Sequence, residues 1–217
     1  MNPYFKAHQI LLLCGFLAGL LALKKSRILL PVTIIFIVTA VSELTGFFTT
    51  KYYRNNLPEF HVLNFLLIPL TAWFFYIHLE SPVFKKWVRW LAAAAMAFAV
   101  FNTILNGFKS FPENALKVSS CAVLVMATFL FIELMDRPAK ENIFKNPVFI
   151  VTLAMIWVNL TSFVFWLLFS YFADHHIPGK PLTLLHYVSN YVYYGLMLIA
   201  QIFTYTSIKY HGKATIA

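Results

Sequence analysis

Seven stretches of this chain, roughly residues 7–23, 28–49, 60–79, 88–107, 115–135, 147–172 and 182–208, are apolar over the length of a helix. About 20 apolar residues suffice for an α-helix to cross the ~30 Å hydrocarbon core of a bilayer. Inside hydrocarbon a backbone must satisfy its own hydrogen bonds, which leaves helices and closed barrels as the spanning structures. Continuous apolar runs of this length, without strand-like alternation, select helices. Composition agrees along the whole chain: of 217 residues, 60% are hydrophobic and only 12% charged, about half the charged share of a soluble domain. The expected fold is all-α, a single polytopic transmembrane domain over residues 1–217. It has seven membrane-crossing helices, with loops too short to hold a soluble domain.

The first stretch has no small-residue cleavage site and runs directly into Lys24, Lys25 and Arg27. It therefore reads as a retained membrane helix with a cytoplasmic stop, not as a signal peptide. With the N-terminus outside, the inner segments hold Lys24, Lys25, Arg27, Lys85, Lys86, Arg89, Arg137, Lys140, Lys145, Lys209 and Lys213, eleven of the 17 basic residues. The outer segments hold Lys6, Lys51, Arg54, Lys109, Lys117 and Lys180. The positive-inside rule then sets the N-terminus outside and the C-terminus in the cytoplasm, in a bacterial inner membrane. The net charge of +9 is spread over these loops, which excludes a nucleic-acid surface. Cys14 and Cys121 sit in apolar runs and offer neither a disulfide framework nor metal spacing.

The second and sixth stretches align without a gap. Pro31 to Glu43 and Pro147 to Asn159 each span twelve residues, and six of the eighteen positions from Pro31 to Phe48 are identical. In the third and seventh stretches His61 precedes Asn64 by three residues, and His186 precedes Asn190 by four, so each pair shares a helical face. A parallel repeat of halves 7–79 and 115–208 around a linker helix at 88–107 accounts for these matches, because an odd linker restores the orientation.

Glu43 interrupts an apolar run long enough to span a bilayer. A carboxylate there costs about 2–3 kcal/mol even on the lenient insertion scale, so it calls for a partner or a task. With the expected topology, Glu43, His61, Asn64, Asn102, Ser119, Ser120, Asn159, His186 and Asn190 all fall in outer helix halves. The inner halves are mostly apolar, with Thr33, Thr71, Thr152, Gln201 and Thr204 as exceptions. Polar groups at one depth in hydrocarbon must face one another or water. The expected site is an outward-facing pocket built from Glu43, His61, Asn64, Asn102, Asn159, His186 and Asn190. Each member also has a plainer role open to it: interfacial histidine, or asparagine linking helices. Proton exchange between Glu43 and a histidine is physically available. Cys121, beside Ser119 and Ser120, would report by its labelling whether water reaches that depth.

Glu43, His61 and His186 would make an acceptable zinc set. No HxxxH or HExxH spacing accompanies them, so neither metal nor cofactor is expected. The seventh stretch has no mid-depth lysine for a Schiff base. Three functions fit: a small-solute or ion transporter with Glu43 as its protonatable group, a membrane receptor or sensor acting on a protein partner through its cytoplasmic loops, or an intramembrane enzyme on lipid or isoprenoid. The enzyme ranks third, for want of a nucleophile or metal motif.

Glu43-Leu44-x-Gly46, the Asn55-Asn56 turn, Asn146-Pro147 and the aromatic run around Asn190 resemble a group of small seven-helix membrane proteins of Bacteroidota. That resemblance implies a fold and no activity. The order of three helices, one linker and three more is similar to the SWEET and PQ-loop transporters. In that likeness Asn64 and Asn190 would occupy the substrate-site positions. The chain lacks the proline–glutamine pair those transporters carry in their first and fifth helices.

Overall fold

The computed structural model describes residues 3–136, 143–175 and 180–214. They form seven α-helices: α1 (Pro3–Leu23), α2 (Leu30–Tyr53), α3 (Leu57–His78), α4 (Pro82–Asn106), α5 (Glu113–Asp136), α6 (Pro147–Asp174) and α7 (Lys180–Ala214). A single 3-10 turn, Ile143–Lys145, precedes α6. Among the described residues there is no β-strand. Six helices, α1 to α6, are long and apolar enough to cross a membrane. The sequence led us to expect seven such helices. The seventh is present, but His186, Ser189, Asn190 and Tyr187, Tyr191, Tyr193 and Tyr194 make it more polar than the rest. Arg137 and Lys140, both in the expected cytoplasmic set, lie outside the described residues.

Local chemistry sets the helix ends. Proline occupies the first turn of α2, α3 and α4, where a missing N–H leaves no bond unmade. Two of the helices share a start device. The Asn55 side-chain oxygen accepts from the Leu57 N–H at 2.9 Å, and that of Asn146 accepts from the Val148 N–H at 2.9 Å. Such an asparagine satisfies a donor that the first helical turn leaves orphaned. Ser81 caps α4 by accepting from the Phe84 N–H at 3.3 Å. Helix α2 ends on Arg54 with a left-handed φ of 54°, and α4 on Gly107 with φ 74°.

The helices close into a ring. α1 packs on α2 and α7, α2 on α3, α3 on α5, α5 on α6, and α6 on α7. α4 packs on α3 and α5 and stands outside the ring, in the groove between them. The Glu133 carboxylate on α5 holds it there, accepting from the backbone N–H groups of Glu80 and Ser81 at 2.7 and 2.8 Å. Hydrogen bonds to an ionised acceptor are about twice as strong as neutral ones.

Association of helices in lipid gains nothing from hydrophobicity, so it depends on close packing and small residues at the contact. Gly15 and Gly19 on α1 supply that contact. A Cβ on Gly15 would come within 2.1 Å of the Phe36 ring of α2, and one on Gly19 within 2.7 Å of Thr33. His8, Leu12, Gly15 and Gly19 are all buried and recur at helical spacing, so one stripe of α1 faces the bundle. Phe36, Met126, Met155 and Met197, from four different helices of the ring, are fully buried and fill its middle.

Candidate functional site

One end of the ring encloses a cavity of about 230 Å³. Every ring helix lines it: α1 through His8, α2 through Thr39 and Glu43, α3 through Asn64, α5 through Ser119 and Ser120, α6 through Asn159 and Ser162, and α7 through His186 and Asn190. No α4 residue does. The aromatic part of the wall comes from Phe60, Trp166, Tyr193 and Tyr194.

The charged centre is a pair that joins α1 to α2. His8 Nε2 lies 3.6 Å from Glu43 Oε1. His8 is only 6% exposed, and its ring stands edge-on to Tyr194, with centroids 5.3 Å apart. Its other nitrogen, Nδ1, is buried with no hydrogen-bond partner among the described residues. The Glu43 side chain is 36% exposed, because it also borders a vestibule. That outer cavity, about 360 Å³, is lined by Ser42, Gly46, Lys51, Glu59 and others, and shares Glu43, Phe60 and Leu63 with the inner one. Glu43 therefore stands where the two cavities meet.

A second carboxylate lies on the vestibule wall. Glu59 accepts from the Ser42 hydroxyl at 2.9 Å. Its Oε2 lies 2.4 Å from where a Cβ on Gly46 would be, so a side chain there would push the carboxylate aside. Glu59 is close enough to Glu43 for the two charges to interact.

On the far wall, Asn190 Nδ2 lies 3.1 Å from His186 Nε2. The amide nitrogen can only donate, so this imidazole nitrogen accepts. The His186 ring packs on Phe165 at 5.0 Å and Trp166 at 6.3 Å, within electrostatic reach of His8 and Glu43. The Asn64 oxygen lies 3.0 Å from the Ser119 hydroxyl, joining α3 to α5. Asn159 commits its Nδ2 to the Met155 carbonyl at 2.8 Å.

Of the residues the sequence singled out, Glu43, Asn64, Asn159, His186 and Asn190 line this cavity, whereas His61 and Asn102 do not. His61 is 1% exposed and turned toward α4. Its Nε2 lies 2.9 Å from the Ser110 carbonyl and its Nδ1 2.8 Å from the Thr103 hydroxyl. A carbonyl only accepts, so Nε2 donates to Ser110, while Nδ1 is engaged by the Thr103 hydroxyl, which also donates to the Ala99 carbonyl at 2.9 Å. Both nitrogens are thus taken, which removes His61 from any zinc set with Glu43 and His186. Asn102 is buried on α4, away from the ring interior. Among the described residues no three His, Cys, Asp or Glu side chains cluster as metal ligands. Cys121 is exposed, while Ser119 and Ser120 are buried, so its thiol points away from the cavity it was expected to report on. His8 and Glu59 were absent from the expected site. The signal for His8 was its place in the buried stripe with Gly15 and Gly19.

On α5, α6 and α7 the residues one turn beyond the lining, Met126, Met155 and Met197, are fully buried, whereas on α2 and α3 the lining reaches further along the ring, to Ile35 and Thr71. Past them are Thr33, Thr152 and Gln201, and the Gln201 Nε2 donates to the Thr33 hydroxyl at 3.4 Å. The arrangement sets one carboxylate and two imidazoles around a common cavity, with His8 and Glu43 at ion-pair distance. No family model matches the chain, and neither a curated protein nor a solved structure is significantly similar to it.

Proposed function

We propose that this chain is a small-solute or ion transporter of a bacterial inner membrane, working by alternating access, with the N-terminus outside and the C-terminus in the cytoplasm. One observation carries the reading: a cavity that collects polar side chains from all six ring helices lies at one end of the ring, with buried methionines beneath it on α5, α6 and α7. In the proposed topology the open end faces outward, and the three buried methionines belong to the closed inner gate.

A parallel repeat fits this mechanism. The ring order α1, α2, α3, α5, α6, α7 maps onto itself when the first three helices exchange with the last three, leaving α4 as the linker. Asn64 on α3 then corresponds to Asn190 on α7, and Glu43 on α2 to Asn159 on α6. All four line the same cavity. Rocking of one half against the other would move the gate and leave the site in place.

The test uses proteoliposomes loaded with a pH-sensitive dye and challenged with a panel of small polar solutes. At least one solute should collapse or generate a pH gradient, and Glu43→Gln should remove that response. Wild-type responses in the Glu43→Gln vesicles would take Glu43 out of the mechanism. The closed gate also favours a second reading, a receptor that binds from outside and signals through its inner loops to a partner protein. Vesicles that stay impermeable, with a solute that raises the melting temperature of the purified protein, would select it.

A further inference from the structure

We infer that the cavity binds a small organic monocation, an amine or quaternary ammonium, in competition with a proton held by His8. This rests on the reading of the cavity as a solute site and names what that solute is.

Charge gives the first argument. Among the described residues no lysine or arginine lines the inner cavity, and Glu43 is its single carboxylate. Glu59 adds a second negative charge near Glu43 from the vestibule, where Lys51 is the one cation on the wall. With its histidines neutral the inner cavity is therefore anionic, and a monocation balances it. The wall supplies the rest of such a site. Phe60, Trp166, Tyr193 and Tyr194 line the same cavity as the carboxylate, and aromatic rings attract an ammonium within about 6 Å of their faces. At about 230 Å³ the space lies below the roughly 300–1,000 Å³ of ordinary ligand pockets, so the ligand has few heavy atoms.

His8 supplies the competition. Protonated, it is itself the counter-ion of Glu43, 3.6 Å away, and occupies the charge a ligand would need. Neutral, it leaves the carboxylate unpaired, and its buried Nδ1, which has no protein partner, becomes available to the ligand. Cation binding and His8 protonation thus exclude each other, and the exchange balances: one monocation enters as one proton leaves. The titratable groups facing the His8–Glu43 pair are Lys51 from α2, Glu59 from α3, and His186, Tyr191, Tyr193 and Tyr194 from α7. Helices α5 and α6 bring no titratable side chain to the cavity wall. His186 is the one other imidazole in reach, so it is the control.

The experiment is isothermal titration of the detergent-solubilised full chain. The ligands are monovalent ammonium ions graded from methylammonium to tetraethylammonium, tert-butylammonium with its neutral isostere tert-butanol, and the neutral polyol erythritol. The expected result is binding of at least one ammonium and not of the neutral compounds. Its affinity should rise with pH by up to about tenfold per unit, the limit for one displaced proton. His8→Gln should keep binding and flatten that slope, while His186→Gln should keep the slope. Glu43→Gln should lose roughly a hundredfold or more in affinity, with circular dichroism confirming that each variant is folded. Preferential binding of erythritol or tert-butanol would overturn the cation assignment while leaving a solute site intact. A slope that survives His8→Gln and vanishes in His186→Gln would overturn the role given to His8. No binding by any compound would remove both the cation assignment and the solute site beneath it.

Discussion

Replacing Gly15 by alanine tests whether the α1–α2 contact is what brings His8 to Glu43. The added Cβ would lie 2.1, 2.3 and 2.6 Å from three atoms of the Phe36 ring, where carbon atoms rest at about 3.5–4.0 Å. Either the seam opens by about 1.5 Å or the ring moves. Phe36 has no space to move into, being fully buried and packed on Tyr194 at 5.6 Å. Overpacking of this kind costs about 1–3 kcal/mol. For a chain of this size that lowers the melting temperature by roughly 2–12 °C, measured by circular dichroism in detergent. Phe36→Ala alone should also destabilise, through the space it leaves; the transfer part of the usual cost shrinks because lipid is as apolar as the protein interior. In the double variant the new methyl enters that space. Its stability should then match that of Phe36→Ala alone, giving a coupling of about 1–3 kcal/mol between the two sites. Strictly additive losses would refute the claim that Gly15 and Phe36 meet as described.

Other expectations follow from the same geometry. His61→Gln should cost about 1–3 kcal/mol by leaving buried partners on Thr103 and Ser110 unsatisfied, yet leave solute binding unchanged in titration; a loss of binding at full stability would put His61 back in the site. Ser120→Cys, in a background with Cys14 and Cys121 replaced by alanine, should react with a charged, water-soluble maleimide in vesicles. The native Cys14 and Cys121, which point out of the bundle, should react only with lipid-soluble reagents, as mass spectrometry would register.

Much of the architecture was legible before any coordinates. Helix positions follow from apolar length, and their ends from residues such as Pro31, Asn55 and the Asn146-Pro147 pair, whose chemistry is local. The site was legible only in part. Glu43, Asn64, Asn159, His186 and Asn190 were found because a polar residue at mid-depth in an apolar helix is expensive wherever it points. His61 and Asn102 satisfy the same criterion and belong to the α3–α4 side instead.

Sequence alone settled how deep along its helix each polar group sits, since rise per residue is fixed. It could not settle which way the group faces. In water a helix shows its buried face by an apolar stripe, but between lipid and a membrane-protein interior both sides are equally apolar, and that stripe disappears. His61 and Asn64, less than one turn apart on α3, are divided by their neighbours alone: Thr103 of α4 takes one and Ser119 of α5 the other. The packing of α1 through Gly15 and Gly19 likewise decided that His8, and not His61, stands beside Glu43.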